Sequence, residues 1–200
     1  MGLIAAVVAT LTAGLSMVLS DTRVRLSVLG LQYVCVGFLV SAALPPAVAG
    51  AKVIAGLAAV TILGTALFLP GGHGPGRAAP RPERLHPLHG VAVGLVGAAA
   101  LALGSRPWMG LPGMTDGASL AAATLMALGL LQVGVSQGAL RVGVGLMTVL
   151  SGFEVAYSFI EPSLAVTALL GAVHLGIALV ISYLLRVVPL VEEQSPEAQE

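Results

Sequence analysis

The sequence has little charge, few aromatic residues and one cysteine. Only 9% of its 200 residues are charged and 4% are aromatic, whereas soluble domains carry about 25% charged residues. The formal net charge is zero, and no basic cluster is interleaved with aromatics, which leaves nucleic-acid binding without support. With Cys35 alone, the chain by itself builds no disulfide, no cysteine-ligated cluster and no CxxC redox site.

Apolar residues fill the rest of the chain, which is 57% hydrophobic with a mean hydropathy of +1.00. The apolar runs are long and unbroken, without the period-two alternation of strands, so they predict helices that satisfy their own backbone hydrogen bonds. We therefore expect an all-α, polytopic protein of the cell (inner) membrane. Residues 1–186 form its single transmembrane domain, and residues 187–200 form a polar, acidic cytosolic tail.

About seven runs approach the ~20 residues needed to cross the hydrocarbon core. The first lacks the basic start and the cleavage site of a secretory signal and is interpreted as a retained helix. Residues 70–89, rich in Gly, Pro, Arg and His, predict an exposed loop. Its histidines, His73, His86 and His89, are irregularly spaced and are interpreted as solvated, not as a metal site. The predicted spans are 2–20, 26–44, 47–69, 86–103, 119–135, 142–160 and 164–185.

The arginines orient these spans. On a path that alternates between the two membrane faces, only Arg106 falls on one side. By the positive-inside rule the other side is cytoplasmic, which places the N-terminus outside and the C-terminus in the cytoplasm. The arginines on that cytoplasmic side are Arg23, Arg25, Arg77, Arg81, Arg84, Arg141 and Arg186.

Three ionisable residues interrupt the spans: Lys52, Glu154 and His174. Such a group is costly in hydrocarbon, so each is a functional-site hypothesis. At 1.5 Å per residue, Lys52 and Glu154 share a depth of about 8 to 9 Å from the outer ends of their spans, and His174 lies about 15 Å into the last span. We expect a short proton or ion path in which Lys52 pairs with Glu154 and His174 continues inwards.

Polar neighbours at helical spacing support this path. Ser151 and Ser158 share the face of Glu154, and Thr167 shares that of His174. A separate face of span six carries Gly145, Gly152 and Ala156 and predicts close helix packing. The alternative is structural: Glu154 clamps helices together, and Lys52 extends to the outer interface.

The join of spans five and six, SQGALRVGVGLMTVLSG, resembles the hydrogenase-4 component E family, multi-span relatives of the small K subunit of respiratory complex I. The single Lys52, in AKVIAGLAAV, is similar to that family's lysine-bearing third span. The resemblance implies a membrane-arm subunit of a complex I-like assembly: a membrane-bound hydrogenase, a formate-linked relative or a cation/proton antiporter complex. Its partner would be a larger antiporter-like membrane subunit, and it would hold no cofactor.

Two departures from that family bear on the role. The family usually has Glu-Asn-Gly in span six, where this chain has Leu150-Ser151-Gly152, with Glu154 one turn later; the acid expected in the last span is replaced near His174. A rerouted or absent proton path would favour scaffolding. An autonomous small transporter and a purely structural membrane subunit stay open as alternatives. No nucleophile-base or metal-ligand constellation predicts a catalytic centre, although the chain could belong to a multisubunit oxidoreductase.

Overall fold

The computed structural model describes residues 2–19, 21–68, 94, 97–98, 113–136 and 138–193, with only the backbone for 188–193. Within those ranges the chain forms six helices and no strand. Five of them, α2 to α6, are long and apolar enough to cross a membrane, and α1 is a shorter apolar helix of 17 residues. The helices are α1 Gly2–Val18, α2 Thr22–Val40, α3 Pro46–Phe68, α4 Asp116–Val135, α5 Ala139–Tyr157 and α6 Leu164–Glu193.

The described residues are thus all helical, with helices apolar enough for a membrane, as predicted. Part of the predicted set of spans lies outside the described residues. The fourth predicted span, 86–103, lies outside the described residues except for positions 94, 97 and 98, which are helical. The loop 70–89, with His73, His86 and His89, lies wholly outside them. The count of seven spans therefore stays a prediction.

Several helix boundaries differ from those predicted. Helix α2 begins at Thr22, not at 26, because the Asp21 carboxylate accepts a hydrogen bond from the Arg23 amide at 2.9 Å and caps the helix. Helix α5 is shifted towards the N-terminus, ending at Tyr157 before a turn over 158–160. Helix α6 continues past 185 to Glu193, with Pro189 inside the extension. The proposed tail is therefore helical over 187–193.

Helices α2 and α5 lie at the centre of the bundle. One apolar core joins α1 and α4 to one side of them, and a second joins α3 and α6 to the other side. Only a minority of the residues of α3 and α6 are buried, and both helices have outward faces with exposed apolar side chains such as Ile54 and Leu169. In a membrane those faces contact lipid or a neighbouring subunit.

Helices α4 and α5 pack closely through glycine, as the small-residue face of span six predicts. A Cβ added to Gly152 would lie 2.8 Å from the Met126 amide nitrogen and 2.9 Å from the Ala122 carbonyl oxygen. Both atoms belong to the α4 backbone, so the two helices approach too closely for any side chain here.

All four described arginines lie at one end of the bundle, called here the arginine end. Arg25, near the start of α2, donates to the Ser16 carbonyl at the end of α1, and Arg23 lies 4.9 Å from the ring centroid of Phe68 at the end of α3. Arg141 begins α5, and its carbonyl accepts from Gln132 near the end of α4. Arg186 follows Ser182, whose hydroxyl donates to Ile62 of α3. This clustering is what the positive-inside pattern requires of these four residues.

Candidate functional site

The centre of the site is an ion pair between Lys52 of α3 and Glu154 of α5, joined through Nζ and Oε2. It lies towards the end of the bundle opposite the arginine end, because Lys52 is in the second turn of α3 and Glu154 is in the last turn of α5. The two side chains are only 5% and 4% exposed. Lys52 therefore does not extend to the outer interface as the structural alternative supposes; it is turned inwards, to the carboxylate.

His174 of α6 completes a buried cluster of three ionisable groups. Its Nδ1 atom is 3.0 Å from the Leu170 carbonyl and 3.7 Å from Glu154 Oε1. Since a carbonyl oxygen only accepts, the hydrogen bond to Leu170 assigns the proton of the neutral ring to Nδ1. The Nε2 atom, left with a free lone pair, has no hydrogen-bond partner in the described part of the chain.

Tyr33 of α2 closes the site from the centre of the bundle. Its ring meets that of His174 edge to face, with centroids 5.4 Å apart and an interplanar angle of 73°, a favourable arrangement for two rings. The ring also rests on Gly56 of α3, where an added Cβ would lie 2.5 Å from two ring carbons. The Tyr33 hydroxyl faces Ser151 without hydrogen-bond geometry, while the Ser151 hydroxyl donates to the Met147 carbonyl at 2.8 Å.

Four helices thus bring together side chains that the sequence scatters. Lys52, Glu154 and His174 form the cluster, and Ser151 lies beside it near Tyr33. The other two predicted supporting residues, Ser158 and Thr167, line a narrow crevice that also reaches Lys52 and Glu154. The structure brings these six predicted residues into one region of the bundle; whether they carry protons or ions stays a prediction.

The charges of the buried cluster add up to zero. With neutral His174, the Lys52 cation and the Glu154 anion cancel, so the buried site carries no net charge. Neither Glu154 oxygen nor His174 Nε2 makes an ordinary hydrogen bond within the described part of the chain. A buried ion pair with so few other hydrogen bonds gains little net stability, because desolvation offsets much of its attraction. Because they have so few hydrogen-bond partners, the Glu154 oxygens and His174 Nε2 are available to accept a proton.

Among the polar residues that the fold buries and that sequence reasoning missed, four are large. Tyr33 is 1% exposed and Gln32 beside it is fully buried, with both amide atoms unpartnered among the described residues. Gln132 accepts from the Ser16 hydroxyl and donates to the Arg141 carbonyl, both at 3.2 Å. Arg25, which lies just outside the predicted span 26–44, is only 3% exposed. Gln32 and Tyr33 could have been singled out from the sequence, because they are two adjacent polar residues inside an apolar run.

As a metal site the cluster is incomplete. Glu154 and His174 offer two ligands, and no group of three His, Cys, Asp or Glu side chains gathers anywhere in the described ranges. Most protein sites for zinc or other transition metals use at least three such ligands.

No family profile matches the chain, and no curated protein or solved structure matches it either. The resemblance to the hydrogenase-4 component E family therefore stays a prediction, and the function is argued from the site itself.

Proposed function

We propose that this chain is a proton-handling subunit of the membrane arm of a complex I-like, ion-translocating assembly. The observation that carries the proposal is the buried cluster of Lys52, Glu154 and His174 in a bundle of membrane-spanning helices. Ionisable groups kept at such a cost inside a membrane domain typically belong to ion pathways or proton relays.

The cluster offers a route for a proton without a large change in buried charge. Transfer of a proton from Lys52 to Glu154 converts the ion pair into two neutral groups. An added proton is accepted at Glu154 or at the free Nε2 of His174. Separation of Lys52 from Glu154 would remove the charge that stabilises the carboxylate, so helix movement in a partner would drive proton uptake, and its reversal would drive release.

A role as a subunit is supported by the shape of the bundle. Helices α3 and α6 carry two of the three ionisable groups, yet only a minority of their residues are buried and each has an outward face with exposed apolar side chains. A neighbouring protein bound to those faces would lie directly behind the site. We assign that place to a larger antiporter-like membrane subunit, in a cell membrane crossed by this chain seven times, with the arginine end in the cytoplasm.

A structural role is the second candidate, because the same ion pair links α3 to α5. The two functions differ in the double variant Lys52→Met/Glu154→Gln, which removes both charges and leaves no unpaired ion. A clamp that only holds the helices is replaced well by neutral side chains of similar size. A relay is not, since neither new side chain exchanges protons.

The test compares Glu154→Gln, the double variant and Asp116→Asn, a matched loss of an exposed carboxylate at the start of α4. The complex is purified through this chain, its subunits are counted, and proton pumping is measured in vesicles with a pH-sensitive dye. We expect the double variant to assemble and to lose pumping by about a hundredfold or more, the lower end of what a positioned proton-transfer group contributes. The Asp116 control should pump normally.

Two outcomes contradict the relay. Full pumping by an assembled double variant would leave Lys52 and Glu154 with a packing role only. Failure of Glu154→Gln to assemble, with both assembly and pumping restored in the double variant, would likewise identify a clamp.

A further inference from the structure

A narrow crevice connects the buried ion pair to the surface at the end of the bundle opposite the arginine end. Its cavity volume is about 10 Å³, which is the room that one water needs. Lys52 and Glu154 form its buried part, and Glu161, in the turn between α5 and α6, is exposed at its mouth.

Two hydroxyl groups, those of Ser158 and Thr167, lie on the wall of the crevice among apolar side chains such as Leu170. The Ser158 hydroxyl donates to the Val155 carbonyl at 2.8 Å, and the Thr167 hydroxyl donates to the Ser163 carbonyl at 3.1 Å. With their protons engaged in the helix backbones, both oxygens are left as acceptors towards the crevice. At its base the Glu154 carboxylate, 4% exposed, makes no hydrogen bond beyond its ion pair.

The crevice therefore presents two hydroxyl oxygens on its wall, the Lys52–Glu154 pair with no net charge at its base and the Glu161 carboxylate at its mouth. The exposed carboxylate favours a positively charged species, and the low-dielectric walls of a cleft strengthen that attraction.

We propose that this crevice is the route by which water-borne protons reach Glu154 from the face opposite the arginine end, with Glu161 as the collecting carboxylate. The proposal rests on the proton-handling function proposed above and adds to it the side of entry and the residue at the entrance. Ser158 and Thr167 position the water between the two carboxylates.

Thiol labelling tests the route without any pumping. In a Cys35→Ala background, Thr167→Cys places the reporter in the crevice, and Ser158→Cys supplies a second reporter should the first fail to fold. Leu169→Cys is the matched control, because Leu169 lies on the same helix at nearly the same depth and is 64% exposed on its outward side. The probe is a membrane-impermeant cationic methanethiosulfonate, added to sealed vesicles from the face opposite the arginine end.

A methanethiosulfonate reacts with the thiolate, which needs water to form. We expect the crevice reporters to react about tenfold or more faster than Leu169→Cys, and only from that face. Replacement Glu161→Gln should slow the cationic reagent by about threefold or more, because focusing of cations by a charged cleft raises encounter rates by at least such factors. A neutral methanethiosulfonate of similar size should be affected little.

Equal rates at the crevice and control positions would overturn the route. Equal effects of Glu161→Gln on the cationic and the neutral reagent would overturn its collecting role. Either result leaves the pumping assay on Glu154 unaffected, so failure of the entry route and failure of the proton-handling function are separately visible.

Discussion

The buried ion pair makes a sharp prediction for stability, best tested with a double-mutant cycle on Lys52 and Glu154. Both side chains are at most 5% exposed, so removal of either one leaves the other as an unpaired charge in a medium of low dielectric constant. Each single variant, Lys52→Met or Glu154→Gln, should lower the free energy of unfolding by about 3 to 5 kcal/mol.

The double variant should be much less destabilised than the sum of the two. Methionine fills the volume of the lysine stem, and the only remaining penalty is the glutamine amide, at about 1 to 3 kcal/mol for a buried polar group without good partners. The coupling energy between the two positions should therefore be at least about 3 kcal/mol.

Reversible unfolding in mixed micelles, followed by far-ultraviolet circular dichroism, measures the four free energies. The control cycle pairs Glu154→Gln with Thr61→Val, an exposed position on α3 that lies about 13 Å further along the helix than Lys52. Those two changes should add to within about 0.5 kcal/mol. Additive behaviour of Lys52 and Glu154, or single costs below about 1 kcal/mol, the range of exposed pairs, would refute a buried ion pair.

Two further predictions concern packing and topology. Gly152→Ala should destabilise the bundle by about 1 to 3 kcal/mol, because its Cβ meets the α4 backbone. Gly134→Ala, with nothing within 4 Å of the added Cβ, should be neutral or slightly stabilising; equal melting temperatures for the two variants would contradict the close approach. Reporter fusions after Arg84 and after Glu200 should both be cytoplasmic, and opposite locations would break the assignment of the spans.

The candidate site was only partly visible in the sequence. Lys52, Glu154 and His174 stand out because an ionisable group in an apolar run has no ordinary explanation. Their shared depth followed from helix geometry alone. Contact among them did not, because it depends on which helices are neighbours and how each is rotated about its axis.

Other parts of the site required the fold. Tyr33 is an unremarkable residue in a membrane span until Gly56 is seen to admit its ring beside His174. Glu161 is an ordinary turn residue until the ends of α5 and α6 place it over Glu154. Arg25 reads as part of a polar link until the end of α1 supplies carbonyls for its guanidinium.

The sequence by itself determined that this chain is a helical membrane protein. A backbone in hydrocarbon must satisfy its own hydrogen bonds, so long apolar runs leave helices as the structure for each span. The tertiary structure alone decided which face of each helix points inwards. Lipid and protein core are equally apolar, so the hydrophobic pattern that distinguishes the inner from the outer face of a helix in a soluble protein is weak here. Only small and polar residues indicate which face of each helix points inwards.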